Sequence, residues 1–288
     1  MTGTRRTPAL GIKRQALNAN EGGSALCQRE QEETLPDTKA RVLVCRSVRL
    51  PPAAYRLYRA LLLAFVAHSR APEPDEVQRL AREYEVPLES TLARMAAQDL
   101  LQRDPATGRI RAAYPFSGIP TPHRVTLFAD HSGECTDQIE AQVYAMCALD
   151  ALGVPLMLRR AAQISSQDAH TGEAVTVLIR PTANALDTPT SAAAAWRVSW
   201  EPVSSVVYAR PAEHEAEHDA GLCQAEGTCC PVTNFFATRS TAQAWLSQRR
   251  VLEPSGAQDD LDGHVLDQQE ALERAHALFA GVLDRLVD

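Results

Sequence analysis

The spacing of apolar residues changes near position 100, and this change restricts the folds that the chain can adopt. Before it the spacing is helical: a first helix follows Pro51, and two more are predicted at 74–84 and 87–100. The apolar stripe of the first helix consists of Tyr55, Tyr58, Leu61, Leu62 and Phe65. Segments rich in β-branched and aromatic residues predict strands at 124–129, 173–181, 195–200 and 205–209. With two later helices near 241–248 and 266–286, the sequence predicts an α+β fold.

The order of these elements also predicts the domain organisation. Three helices are followed by a hairpin whose turn lies at 104–108, which is typical of a winged-helix-like domain, here placed at 41–122. Residues 1–40 mix polar residues with little periodicity and are predicted to be a disordered arm. A second, mixed α/β domain is predicted at 123–288.

A winged helix raises the possibility of DNA binding through its third helix. That helix offers one cation, Arg94, and sets Glu89 and Asp99 against the phosphates. The chain has a net charge of −7, and residues 126–288 carry 23 Asp+Glu against 10 Lys+Arg. A chain so acidic is poorly matched to a phosphate backbone, and we expect no nucleic acid as a partner.

Composition predicts a cytoplasmic protein with reduced thiols. The longest apolar stretch, at 60–67, is too short to span a bilayer, and no membrane association is expected. Arg5 and Arg6 are not followed by the apolar core of an export signal. The seven cysteines are odd in number and irregularly spaced, which favours free thiols over a disulfide framework.

The segment HEAEH at 214–218 matches a zinc-binding pattern of metalloproteases. It lies in an acidic run with almost no apolar face, whereas such a motif requires a buried helix. We interpret it as a solvated loop within 210–228. Because the sequence also has no glycine-rich phosphate loop, no cofactor is expected.

The stretch YAMCALDALG at 144–153 combines a thiol with a carboxylate. Cys147 and Asp150 are three residues apart, so they share one face of a predicted helix that ends near Gly153 and Pro155. A carboxylate beside a thiol can carry the proton that the thiol must lose. The alternative is that Cys147 simply fills a helix interface as a small apolar residue.

Cys229 and Cys230 are adjacent and precede a predicted apolar strand. Consecutive side chains of a strand point to opposite faces, so one of the two is expected to reach Cys147. The alternatives are buried cysteines acting as small apolar residues, or a strained vicinal disulfide.

Three blocks of the sequence resemble the organomercurial lyases, also called alkylmercury lyases. They are YAMCALDAL at 144–152, ISSQDAHTGEA at 164–174 and CCPVTNFFAT at 229–238, in the order and approximate spacing of that family. The resemblance begins near Pro51, where the family has a small winged-helix-like domain, and it leaves the arm and the loop at 210–228 unmatched. It implies that 123–288 is an alkylmercury-lyase-like catalytic domain.

Carried over by position, the resemblance implies that Cys147 and Cys229 are the essential, mercury-binding cysteines and that Asp150 is the catalytic aspartate. The implied reaction is protonolysis of R–Hg⁺, in which Asp150 passes a proton to the carbon, R–H leaves and Hg(II) stays on the thiolates. Cys147→Ser and Cys229→Ser are expected to be inactive, and Cys230→Ser at least partly active. The expected pocket walls are Tyr144, Met146, Cys230, Phe235 and Phe236.

The sequence departs from the family at three places. Met146 replaces a common tryptophan, Asp168 replaces a further, non-essential cysteine, and the longer loop before Cys229 holds Cys223. These departures bear on substrate range and efficiency more than on the type of reaction.

The resemblance implies low-molecular-weight thiols and a mercuric reductase, as acceptor of Hg(II), as partners besides the organomercurial substrate. Two other functions fit the same residues: a thiol-based mercury or metal binder without turnover, and a metal-sensing winged-helix regulator. Asp150 favours the lyase, because binding alone needs no proton carrier.

Overall fold

A computed structural model describes residues 50–131, 134–182, 196–210, 229–252 and 263–283. The predicted arm at 1–40, Cys223 and the HEAEH segment at 214–218 lie outside these residues.

Helices and strands follow the predicted change of periodicity. The helices are α1 (Pro52–His68), α2 (Pro74–Glu83), α3 (Leu88–Ala97), α4 (Ala148–Leu158), α5 (Arg239–Leu252) and α6 (Gln268–Phe279). The strands are β1 (Leu101–Arg103), β2 (Ile110–Ala113), β3 (Phe116–Ser117), β4 (Arg124–His131), β5 (Glu134–Ala145), β6 (Ala162–Gln167), β7 (Ala174–Pro181), β8 (Trp196–Glu201), β9 (Val206–Ala209), β10 (Asn234–Phe236) and β11 (His264–Leu266).

Two antiparallel sheets organise the described chain. The larger has eight strands in the order β1-β2-β3-β5-β4-β6-β7-β8, and the smaller has three in the order β10-β9-β11. Helices before and between these strands confirm the predicted α+β class. The predicted turn at 104–108 joins β1 to β2, with Leu101 opposite Ala113. The winged-helix comparison itself stays a prediction.

The N-terminal helices and the large sheet share one hydrophobic core. The predicted stripe of α1 is buried along its whole length, and the Tyr55 hydroxyl donates a hydrogen bond of 2.6 Å to the Val282 carbonyl near the end of the described chain. β3 pairs with β5 through Phe116 and Ala145, so the sheet runs across the predicted domain boundary at 122. That boundary stays a prediction, and the described residues from Leu50 onward belong to one compact unit.

Every residue of α4 from Ala148 to Met157 is buried, and Asp150 is one of them. It does not end at Gly153 and Pro155, as the sequence suggested, but continues to Leu158. The reason is tertiary packing: Gly153 faces α6 so closely that a Cβ there would overlap the ring of Phe279. Here glycine permits a helix contact and does not end the helix.

In the part of the chain that the structure describes, no helix is both long and apolar enough to cross a membrane.

Replacing Gly153 with alanine should destabilise the fold by about 1–3 kcal/mol, because the added methyl group overpacks the contact between α4 and α6. The higher helix propensity of alanine offsets this by at most about 1 kcal/mol. Urea denaturation measures the change. Combining Gly153→Ala with Phe279→Leu should restore part of the loss, and a Gly153→Ala variant as stable as the wild type would contradict this packing.

Candidate active site

Two thiols and one carboxyl group meet at the start of α4. The sulfur atoms of Cys147 and Cys230 and a carboxylate oxygen of Asp150 all lie within 4.8 Å of one another. The Cys230 thiol donates a hydrogen bond to Asp150 Oδ2 at 3.6 Å. All three residues are nearly inaccessible, with exposures of 5% for Cys147, 6% for Asp150 and 9% for Cys230.

Cys147 occupies the N-cap of α4, where the sequence suggested a helix interior. Tyr144 and Ala145 end β5, and the helix begins at Ala148. Cys147 Sγ accepts a hydrogen bond of 3.4 Å from the backbone N–H of Asp150. An N-cap residue and the third helical residue face each other in this way, so the predicted closeness of thiol and carboxyl survives the shift of the helix boundary. The N-terminus of a helix favours a thiolate, but burial outweighs this effect at Cys147 and raises its pKa.

Cys230 reaches the cluster through a turn that docks on the same helix end. The backbone N–H of Ala148 donates to the Thr233 carbonyl at 3.1 Å. Thr233 in turn closes the turn, because its N–H and its hydroxyl both donate to the Cys229 carbonyl, at 3.1 and 2.9 Å. The strand β10 starts after this turn, at Asn234.

The structure differs from the sequence analysis in which of the adjacent cysteines joins Cys147. Cys230 is in the cluster, whereas Cys229 is half-buried and outside it. The sequence argument assumed that both cysteines lie in a strand, and it took the first of them by position. They lie instead in the turn before β10, where the backbone direction, and not the alternation of a strand, decides which sulfur points inward.

Burial raises the pKa of every member of the cluster. The pKa of Asp150 rises to about 7, mainly through burial, with a smaller contribution from the charge of Asp99 and against hydrogen bonds from both thiols. Burial raises the pKa of Cys147. The pKa of Cys230 is raised well above its ordinary value by its contact with Cys147, by burial and by nearby charges. Near neutral pH both thiols therefore hold their protons, and Asp150 is the member that can exchange one.

The residues predicted to line the pocket take different positions. Tyr144, in β5, and Met146 are half-buried, and Met146 packs on the main core and donates its N–H to the Pro115 carbonyl at 3.1 Å. Phe235 is fully buried in that core, edge-on to Trp200. Phe236 points to the other side of β10.

Phe236 packs on Trp245 in a second hydrophobic cluster, apart from the core that contains both Cys147 and Cys230. Adjacent residues of a strand face opposite ways, which explains the separation of the two phenylalanines.

Two buried polar residues near the site were not singled out from the sequence. His123 donates or accepts a hydrogen bond with Ser166 at 2.9 Å and lies edge-on to Phe235, and burial lowers its pKa to about 4. Tyr114 is buried, and this burial raises its pKa. Neither residue belongs to a motif that the sequence analysis could recognise.

The cluster is suited to a soft metal. Among the described residues it is the one group of three or more Cys, His, Asp or Glu side chains whose ligand atoms converge. Thiolates select soft cations such as those of mercury over the hard cations that carboxylates and water prefer.

Comparisons with known proteins point to one family. The family model for alkylmercury lyase matches residues 116–280, a stretch that contains the whole cluster. An alkylmercury lyase of Staphylococcus epidermidis (strain ATCC 12228 / FDA PCI 1200) is 27% identical over 176 residues, which is 61% of this chain and 66%, just under two thirds, of that protein. The crystal structure of the mercury-bound form of MerB2 superposes with a TM-score of 0.57 at 17% identity, covering 85% of this chain and 98% of that one, and supports the fold. The chain belongs to the alkylmercury lyase family.

Proposed function

We propose that the chain cleaves the carbon–mercury bond of an organomercurial by protonolysis, using Cys147, Cys230 and Asp150. The main support is the cluster itself, in which two buried thiols face a carboxyl group whose pKa is about 7. Family membership supports the same reaction. The second thiol is assigned to Cys230 in place of Cys229, because Cys230 is the one whose sulfur lies beside Cys147.

The atoms balance in three steps. Cys147 displaces a small thiol from R–Hg–SR′, and its proton leaves with R′SH. Cys230 then binds the same mercury and gives its proton to the Asp150 carboxylate. Finally Asp150 passes that proton to the carbon, the electron pair of the carbon–mercury bond stays with R–H, and Hg(II) is left on the two thiolates with Asp150 ionised again. The reaction therefore needs no outside oxidant or reductant.

The electrostatics of the cluster suit this proton transfer. A general acid–base group works best when its pKa is near the working pH, and Asp150 meets that condition. The thiols stay protonated until mercury displaces their protons, so the site does not hold several buried negative charges before the substrate arrives. The soft cation then offsets the charge of the thiolates that form.

The surroundings of the reaction stay proposals. Small thiols would bring the substrate, and a mercuric reductase would accept Hg(II). No further cofactor is proposed. A cytoplasmic location stays a prediction. A thiol-based binder or a metal-sensing regulator would take up mercury without releasing R–H. Incubating the reduced protein with phenylmercury and excess thiol, and measuring benzene, separates the lyase from both.

Asp150→Asn should slow benzene release by about 10²- to 10⁴-fold, the usual contribution of a general acid–base group. Both thiols remain, so Hg(II) should still bind. The measurements are benzene release from phenylmercury and titration with Hg(II). Asp104→Asn, a change in a carboxylate of the β1–β2 turn, is the control and should leave both unchanged. Full activity of Asp150→Asn would rule out the proton transfer.

Cys230→Ser should abolish cleavage, because the second thiolate on mercury is lost, whereas Cys229→Ser should keep at least part of it. Single-turnover release of benzene from stoichiometric phenylmercury measures both. An inactive Cys229→Ser together with an active Cys230→Ser would return the second thiol to Cys229, as the sequence alone suggested.

Asp150 should also make folding stability depend on pH. Its pKa is 3.8 in ordinary surroundings and about 7 in the fold, so the folded protein binds the proton more tightly. The resulting stabilisation is complete below about pH 4 and is lost as the pH rises toward 7. Asp150→Asn lacks this titration, so its free energy of unfolding relative to the wild type should increase with pH.

Urea denaturation of both proteins between about pH 5 and pH 8 measures this difference. The lowered pKa of His123 gives the opposite slope, but it contributes equally to both proteins and cancels. A difference that stays constant across this range would show that Asp150 is not held protonated by the fold.

A further inference from the structure

The same hairpin turn occurs twice in the chain, as DPATG at 104–108 and DAHTG at 168–172. In the first, the Gly108 N–H donates to the Asp104 carbonyl at 2.8 Å. Asp104 Oδ1 accepts from the N–H groups of Ala106 and Thr107 at 3.1 and 2.7 Å, and from the Thr107 hydroxyl at 2.8 Å. One carboxylate oxygen is therefore enough to cap a turn of this sequence.

The second turn has the same bonds from backbone N–H groups. The Gly172 N–H donates to the Asp168 carbonyl at 2.8 Å, and Asp168 Oδ1 accepts from the N–H groups of His170 and Thr171 at 2.7 and 3.0 Å. The two glycines have φ values of +71° and +77°. The two turns match in backbone and in the role of Oδ1.

The two aspartates differ in the hydrogen bonds of their second carboxylate oxygen. Asp168 Oδ2 leaves its own turn and accepts from the Ala237 N–H at 2.7 Å and the Thr241 hydroxyl at 2.5 Å. The hydrogen bonds that the structure describes for the Asp104 side chain all return to its own turn. Asp168 is also buried, with 1% exposure. Burying a carboxylate costs free energy, and hydrogen bonds to both of its oxygens offset this cost. Those charge-assisted bonds also hold the side chain firmly in one position.

The groups that Asp168 Oδ2 binds lie at the end of the 229–237 segment, which carries Cys230, and in the helix that follows it. Ala237 directly follows β10, and Thr241 lies in the first turn of α5. The Ala169 N–H adds a bond of 3.1 Å to the Phe235 carbonyl, so the 168–172 turn contacts this segment twice. The middle of the segment is held by the bond from Ala148 to Thr233 described above.

We propose that Asp168 is a positioning residue for Cys230, whose carboxylate fixes the 229–237 segment so that the second sulfur faces Cys147 and Asp150. The role in catalysis rests on the proposed function, but the placement of the sulfur does not. Burial alone would raise the pKa of Asp168, yet the bonds from Thr241, Thr171, Ala237 and His170 outweigh it and lower the pKa. The carboxylate is therefore ionised, and able to accept all four bonds, at neutral pH.

Asp168→Asn is the direct test. An amide presents one acceptor and one donor, so it can serve either the turn or the Ala237 N–H, but not both. Residues that orient metal ligands typically change metal affinity by about 10- to 100-fold when replaced. We expect a loss of Hg(II) affinity of that size, measured by competition with a dithiol chelator, and a fall in kcat for phenylmercury with KM changed less.

Asp104→Asn is the matched control, because it weakens an equivalent turn that does not contact the Cys230 segment. It should keep the wild-type Hg(II) affinity and kcat. Thr241→Val removes one donor to Asp168 Oδ2 and leaves the 168–172 turn intact, so it should shift both quantities in the same direction as Asp168→Asn but less. This second variant carries the test if Asp168→Asn does not fold.

The outcomes distinguish this proposal from the proposed function. Folded Asp168→Asn or Thr241→Val proteins that bind Hg(II) as tightly as the wild type would overturn the positioning role, as would an equal loss in Asp104→Asn. If the wild type releases no benzene while Asp168→Asn still weakens Hg(II) binding, the positioning role stands and the lyase function fails.

Discussion

The site depends on the docking of one turn against the end of one helix. The bond from the Ala148 N–H to the Thr233 carbonyl joins the start of α4 to the turn that contains Cys230. Cys147 and Asp150 are adjacent through the local geometry of the helix N-terminus, but Cys230 is 80 residues away from Asp150 in the sequence. Without this docking the chain has a thiol beside a carboxyl group and no second sulfur.

Burial gives the cluster its chemistry and also costs stability. Burial raises the pKa of Asp150 to about 7, so its carboxyl group can both accept and give a proton near neutral pH. Burial keeps Cys147 protonated until a cation arrives, and the contact with Cys147, together with burial, does the same for Cys230. Functional sites often hold groups that would be better solvated elsewhere, and the surrounding core must offset that cost. Here α4 is surrounded by the main hydrophobic core, and Gly153 lets α6 approach it closely.

Local patterns in the sequence predicted the elements, and contacts between distant residues decided the rest. The stripe of α1, the turn at 104–108 and the pairing of Cys147 with Asp150 all follow from spacing within one or two turns of chain. The choice between Cys229 and Cys230 does not, because it depends on the path of the turn before β10. The helix boundary at Cys147 was also misplaced, since the preceding residues pair in β5.

Asp168 illustrates the same limit. The sequence analysis noted Asp168 only as a departure from the family, because its bond to Ala237 spans 69 residues and follows from no motif. His123 and Tyr114 are comparable, because their burial beside the site is a property of the folded core and not of their own segments.

The most direct test of this account is the anomalous diffraction of crystals of the reduced protein loaded with one equivalent of Hg(II). The mercury should lie between the sulfur atoms of Cys147 and Cys230, with the Asp150 carboxyl beside it and Cys229 unmetallated. Mercury bound by Cys147 and Cys229, with Cys230 turned away, would contradict the arrangement described for this site.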